Sequence, residues 1–282
     1  MSDLSQLTKQ HYEKNEASGS LISKVTTMLN SLPEGAVGSS QLAGLDQFHA
    51  MGLEGTKQLA QIAGITSDTA VLDAGSGLGG PSRYLANTYG CRVIGVDLSP
   101  SFVAVAQLLA QRTGLNALVS YQTGDLQALP FPDSSFDLVW TQHVVMNIPD
   151  REGVYREFRR VLRPGGKLAF FDVLATDAKP ELHFPVPWAE SKETSFLFTQ
   201  DETRSFLATT GFTITTWNDV TAEVVTWFGQ QRPPVQGFSL GLVMGPRFGE
   251  MSTNFARNIR EGGVRFVMAV CATPIRSNPK SQ

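Results

Sequence analysis

A chain of 282 residues exceeds one average domain, yet a single α/β domain with insertions absorbs that length. Hydrophobic residues are 41% and charged residues 17%, which excludes disordered and fibrous classes and predicts a sizeable core. The formal charge of −3, with no Lys/Arg cluster interleaved with aromatics, argues against nucleic acid as a partner.

The opening, Met1 to Asn15, is polar and lacks the apolar stretch of a signal peptide, and no run reaches the length of a membrane span. A cytoplasmic protein without membrane insertion is expected. Residues 1–66 read as a helical amino-terminal cover, with Leu53, Leu59 and Ile62 spaced along a helix from Gly52 to Ala63. From about residue 70, short apolar runs alternate with helical segments, the pattern of a parallel sheet with crossover helices. The predicted strands cover residues 70–74, 92–98, 119–123, 136–142 and 167–174. Helices are predicted over 81–89, 101–113 and 151–162, with start signals at Pro81, at Ser99-Pro100 and at Asp150 as an N-cap. Pro164-Gly165-Gly166 predicts a stop and turn before the fifth strand. Cys91 and Cys271 lie in apolar, strand-like runs without metal or redox spacing and read as buried thiols in a reducing compartment.

Beyond the fifth strand the composition changes. Residues 176–198 are rich in proline and aromatics and read as an inserted lid. A helix over 200–210 and a strand over 212–220 follow, then a second insertion over 222–260 whose end, 247–259, has helical spacing, then a last strand over 264–272. Residues 67–282 are thus expected to form one α/β domain, a doubly wound, mostly parallel sheet carrying two insertions.

The densest chemical signal is the run from Val71 to Gly80, an apolar strand ending in Asp73 and running into glycines. Glycines permit a sharp turn and close approach of a ligand to the backbone. Gly75, Gly77 and Gly80 also satisfy the dinucleotide spacing G-x-G-x-x-G, so the loop alone leaves two cofactors open. Asp73, two residues before the first glycine, disfavours a pyrophosphate and favours a ligand carrying an ammonium and a sulfonium, as S-adenosylmethionine does. Asp97 ends the next strand, where a carboxylate accepts from both ribose hydroxyls. Asp125 follows the third strand and suits the adenine amino group. Against this stand plainer roles, Asp97 as a helix cap near Pro100 and Asp125 as the opening of a turn. Three acids after three successive strands, however, share the carboxyl edge where ligands bind in such sheets.

The segments VLDAGSGLGG, VIGVDLS, TGDLQALPFPDSSFDLVW and EFRRVLRPGGKL resemble successive motifs of class I S-adenosylmethionine-dependent methyltransferases. Within that superfamily the chain is similar to the small-molecule branch that includes ubiquinone/menaquinone, tocopherol and sarcosine/dimethylglycine methyltransferases, over roughly residues 42 to 220. The resemblance implies a seven-stranded Rossmann-like sheet with an antiparallel final strand. It places Asp73, Gly75 and Gly77 at the methionine part of S-adenosyl-L-methionine, Asp97 at the ribose, and Asp125 with Leu126 at the adenine, with Leu98 among the cofactor-binding residues. Gln142 falls near the reactive methyl group, and Asp46-Gln47-Phe48-His49 matches a segment that covers the cofactor.

Methyl transfer is a direct displacement at carbon, so positioning and removal of water supply most of the acceleration. His143, after the fourth strand, is the foremost candidate for a base or an acceptor-orienting group, with a purely structural histidine as the alternative. His49 and Tyr12 are further catalytic candidates on the cover. Phe184, Trp188, Phe196, Phe198, Trp227 and Phe228 either line an acceptor pocket or seal the lid, His183 is expected to bond locally, and Arg83 to pair with an acid. No metal site is expected, because the four histidines and two cysteines lack ligand spacing. A small-molecule acceptor follows, with N, O or C as nucleophile. The rival classes are a nicotinamide-dinucleotide oxidoreductase and a non-catalytic S-adenosylmethionine-binding protein.

Overall fold

The computed structural model describes residues 3–13, 21–32, 37–230 and 239–275. Four helices precede the sheet: α1 (Asp3–Glu13), α2 (Leu21–Asn30), α3 (Ser39–Asp46) and α4 (Gly52–Ala63). Then come β1 (Ala70–Ala74), α5 (Gly80–Tyr89), β2 (Arg92–Asp97), α6 (Pro100–Arg112), β3 (Val119–Thr123), β4 (Phe136–Gln142), α7 (Arg151–Val161) and β5 (Leu162–Ala175). The chain closes with α8 (Gln200–Thr209), β6 (Thr213–Asp219), α9 (Thr221–Gly229), α10 (Leu240–Met244), α11 (Phe248–Arg260) and β7 (Val264–Ala272).

The strands form one seven-stranded sheet in the order β3-β2-β1-β4-β5-β7-β6, and β7 runs antiparallel to both neighbours. The order reverses between β1 and β4, which leaves a crevice at their carboxyl ends. The strands are Val-, Leu- and Phe-rich because both faces are covered. On one face Leu59 and Ala63 of α4, Leu85 of α5, Val224 of α9 and Phe255 of α11 join the core, and on the other Val154, Phe158 and Val161 of α7 meet Leu207 of α8. The expected start signals act as caps: Ser99 Oγ accepts from Phe102 N (3.3 Å), and Asp150 Oδ1 accepts from Gly153 N (2.8 Å).

One expectation needs correction. Pro164-Gly165-Gly166 does not end one element and start another. β5 runs through it, and the register against β4 jumps from Phe136↔Leu162 to Leu138↔Lys167, so the chain bulges there, with Arg163, Pro164 and Gly165 exposed and Gly165 at φ +78°. The helices before the sheet pack in two ways. Leu59, Ala60 and Ala63 are buried in the sheet's core, whereas Leu21, Val25 and Leu29 of α2 and Leu42 and Leu45 of α3 build a separate apolar cluster on Phe102, Val105 and Leu109 of α6. Full burial of each such leucine contributes about 1.5–3 kcal/mol, so apolar contacts hold α2 and α3 on α6. Cys91 and Cys271 are both buried and free. No helix among the described residues is long and apolar enough to cross a membrane.

Candidate active site

A cleft with a cavity volume of about 280 Å³ opens at the carboxyl ends of β1, β2 and β4. The glycine turn after β1 forms its floor. The Gly75 and Ser76 amides donate to Val96 O of β2 (2.8 and 3.0 Å), which ties the turn to the neighbouring strand. At Gly75, φ is +82° and a Cβ would run into Val144, so only glycine fits there. Gly77, at φ +52°, donates its amide to Asp97 Oδ2 (2.8 Å), while Asp97 Oδ1 accepts from Ser99 N (2.9 Å). Asp97 therefore pins the glycine turn to the strand end and still lines the cleft beside Leu98. Burial raises its carboxyl above the ordinary aspartate range. The cap of α6 is Ser99, not Asp97. Asp125 lines the cleft with Leu126, and its Oδ1 accepts from Gln127 N (3.0 Å) in a turn.

Asp73 is placed differently from the expectation. It does not line the cleft; at 2% exposure it lies beneath the glycine turn and accepts from Ser82 Oγ (2.5 Å). Burial pushes its carboxyl up to about 7. Its charge can act on a ligand only through the turn above it. Arg83 pairs with Asp46 Oδ2 (2.5 Å) and donates to Leu78 O (2.7 Å), fully buried. This pair seats the end of α3 on the start of α5. A Cβ at Gly80 would strike the backbone carbonyl of Asp46, so the chain itself fills the helix terminus where a pyrophosphate would sit.

The three catalytic candidates meet in the cleft. Gln142, His143, His49 and Tyr12 all line it, drawn from β4, the segment after α3 and α1. Gln142 Oε1 accepts from Trp140 Nε1 (3.0 Å), and an indole N–H only donates, so the amide is oriented and its Nε2 is buried without a partner among the described residues. Thr56, buried on α4, was not legible as a site residue. Its hydroxyl lies 2.7 Å from Gln47 Oε1, 3.1 Å from His49 Nε2 and 3.2 Å from Gln142 Oε1, linking the cover to β4.

His49 and His143 approach edge to face, with ring centroids 6.0 Å apart. The Ala50 peptide serves both rings: its carbonyl lies 3.0 Å from His49 Nδ1, and its N–H donates to His143 Nδ1 (3.3 Å). Burial lowers His49 to about 4 and holds His143 well below the ordinary histidine value, with His49 adding to the second effect. His143 has φ +53°, a left-handed conformation uncommon outside glycine, held by donation of its amide to Phe171 O (2.8 Å). Tyr12 donates to Asn147 Oδ1 (3.2 Å), and Asn147 Nδ2 donates to Trp188 O (2.7 Å), so Asn147 joins α1 to the lid of residues 176–198. Burial raises the Tyr12 phenol above its usual range.

Beside His143 the cleft is walled by Trp188, Trp227, Phe228, Phe248 and Phe255, with Leu240 and Met244 also lining it. Phe184, Phe196 and Phe198 do not line it. Phe198 packs on Phe206 (5.0 Å) beneath Arg151, and the Phe196 amide donates to Met146 O (2.8 Å), so these two seal the lid. His183 bonds Glu261 (2.8 Å), just past the end of α11 and away from the cleft. No cluster of metal-binding side chains occurs among the described residues.

This sheet order, with a glycine turn after β1 and an acid ending β2, defines a Rossmann-like domain of the methyltransferase type. Residues 72–170 match the model of a methyltransferase domain family. The chain is 41% identical over 119 residues to a sterol 24-C-methyltransferase of Eremothecium gossypii, covering 42% of this chain and 32% of that protein. It is 34% identical over 165 residues to a sarcosine/dimethylglycine N-methyltransferase of Halorhodospira halochloris, covering 58% and 59%. The alignments thus span about a third to three-fifths of the length of these curated relatives. Geranyl diphosphate C-methyltransferase of Streptomyces coelicolor A3(2), solved with S-adenosyl-L-homocysteine, superposes with a TM-score of 0.69 at 17% identity, over 96% of this chain and 98% of that one. At that identity the likeness concerns the fold.

Proposed function

We propose that the protein transfers a methyl group from S-adenosylmethionine to a small-molecule acceptor. The observation that carries this reading is the continuity of one cleft, from Asp97, Leu98, Asp125 and Leu126, past Gln142 and His143, into an aromatic chamber. The residues present fit the cofactor. Asp97 keeps free lone pairs toward the cleft for ribose hydroxyls, Asp125 suits the adenine amino group, and Gly75 and Gly77 let the methionine part lie against the backbone. Asp73 lies buried beneath the turn, bonded to Ser82, and the unpartnered Gln142 Nε2 is a donor in search of an acceptor. When bound, the cofactor supplies an electrophilic methyl group on a sulfonium. The chain's own work is to hold the acceptor in line and to exclude water with the cover and the lid.

A dinucleotide is disfavoured because Asp46 and Gln47 occupy the terminus of α5 that its pyrophosphate needs. A non-catalytic sensor is disfavoured because it has no use for an open apolar chamber beside the transfer position. We take residues 1–66 and 67–282 as cover and domain, and the free thiols as the mark of a cytoplasmic, reducing location. Calorimetry with S-adenosylhomocysteine and with NADH tests the cofactor, and binding of NADH alone would overturn the assignment. Incubating a metabolite panel with methyl-labelled cofactor then tests the reaction. Cofactor binding with no labelled product from any acceptor would leave the sensor.

A further inference from the structure

The tautomer of His143 is fixed by the backbone. The Ala50 N–H can only donate, so His143 Nδ1, 3.3 Å away, must offer its lone pair. In a neutral imidazole the proton then resides on Nε2, which is buried and has no partner among the described residues. A nitrogen that already carries the proton is not a base. Neither charge state changes this: burial and the neighbouring His49 disfavour the imidazolium, in which Nε2 would again be a donor. The titratable groups facing this residue are His49, itself held neutral, and Asp172 of β5, which lies close to the backbone amides of His143 and Val144 without a hydrogen bond to either. Phe171 and Phe266 pack on the ring, at 4.7 and 6.0 Å between centroids, and hold its plane.

We infer that His143 is a hydrogen-bond donor to the acceptor rather than a general base, and that the acceptor is an apolar-bodied compound presenting a phenolic or enolic oxygen to Nε2–H. This rests on the methyltransferase reading and names the acceptor class within it. The chamber side agrees. Its walls are Trp188, Trp227, Phe228, Phe248 and Phe255, and the charged residues lining the cleft, Lys9, Asp97 and Asp125, come from α1 and from the ends of β2 and β3. No carboxylate among the described lining residues stands on the chamber walls to receive an ammonium, and no arginine to receive a phosphate. The acceptor's proton leaves to solvent as it binds, its anion being stabilised by the Nε2–H. The oxygen or the conjugated carbon then forms the new bond to the methyl carbon with its own electron pair. The carbon–sulfur pair returns to sulfur, leaving a neutral thioether, and His143 keeps its proton throughout.

Two measurements decide it. NMR of the intact chain labelled with ¹⁵N-histidine should show His143 as the Nε2–H tautomer, unchanged across roughly pH 5 to 8, where an ordinary histidine titrates. An Nδ1–H tautomer or an ordinary titration would overturn the assignment. Calorimetry with S-adenosylhomocysteine present then compares two probes of one shape, 2-naphthol and naphthalen-2-ylmethylammonium. The naphthol should bind at least about tenfold more tightly, the scale of one well-made hydrogen bond. His143→Gln, which retains a donor and cannot act as a base, should keep that preference, and His143→Ala should lose it. Equal or tighter binding of the ammonium would mean that the aromatic walls act as a cation–π cage and would overturn the proposal. The same titrations separate the two readings. Failure of S-adenosylhomocysteine to bind removes the methyltransferase reading, whereas its binding without a naphthol preference removes only the donor assignment.

Discussion

Replacing Asp97 by alanine probes the joint between the glycine turn and β2. The carboxylate accepts from Gly77 N at 2.8 Å and from Ser99 N at 2.9 Å, and it faces the cleft where ribose hydroxyls are proposed to lie. Hydrogen bonds to a charged group contribute about 1.5–3 kcal/mol. Loss of the ribose contacts should therefore weaken S-adenosylhomocysteine by about 10- to 150-fold. The two amides lose less than this, because the cleft admits water to them in place of the carboxylate. Relief of carboxylate desolvation, which raises this group's proton affinity, offsets part of the cost further. The unliganded protein should thus melt only modestly lower while its cofactor affinity falls steeply. Isothermal titration calorimetry reads the affinity and differential scanning calorimetry the stability. Unchanged affinity with lowered melting temperature would refute the ribose assignment and leave Asp97 as a brace for the turn.

Asp73 has its carboxyl raised from the ordinary aspartate range to about 7, so the native state retains a proton that the unfolded chain has released. Stability from this group is therefore lost as pH rises through about 4 to 7. Asp73→Asn should flatten the melting-temperature profile over that window, and a profile parallel to the parent's would contradict the burial argument. Arg83→Met strands the Asp46 carboxyl without its guanidinium and should cost about 3–5 kcal/mol in denaturant unfolding. Recovery in the double variant with Asp46→Leu is expected; a cost under about 1 kcal/mol would show that the pair is not the clamp between α3 and α5. Asn147→Ala removes the bridge between Tyr12 and the Trp188 carbonyl, so limited proteolysis within residues 3–13 and 176–198 should accelerate. Cleavage at the parental rate would mean that apolar contacts alone hold the lid.

What the sequence disclosed follows from how local each determinant is. The strand from Ala70 to Ala74, the helix starts at Ser99 and Asp150 and the acid at Asp97 are written in runs of a few residues, whose periodicity and capping chemistry fix them whatever surrounds them. Pro164-Gly165-Gly166 misled because a bulge and a turn make the same local demand, a glycine at positive φ, and only the pairing partner β4 distinguishes them. Asp73 misled for a related reason: the sequence places its carboxylate beside the glycine turn, but the strand's alternation decides whether it faces the ligand or Ser82. Thr56 carried no signal at all. Its hydroxyl matters because α4 brings it against His49 and Gln142, residues 7 and 86 positions away. The donor state of His143 lies deeper still, since it depends on a backbone N–H from Ala50, 93 positions distant. Residue types at the carboxyl edge of the sheet were enough to nominate the site, but which way each proton points there is set by contacts that only the folded chain makes. That is why the sequence nominates His143 as a base or orienting group against a structural histidine, while the donor role proposed for it rests on the Ala50 N–H.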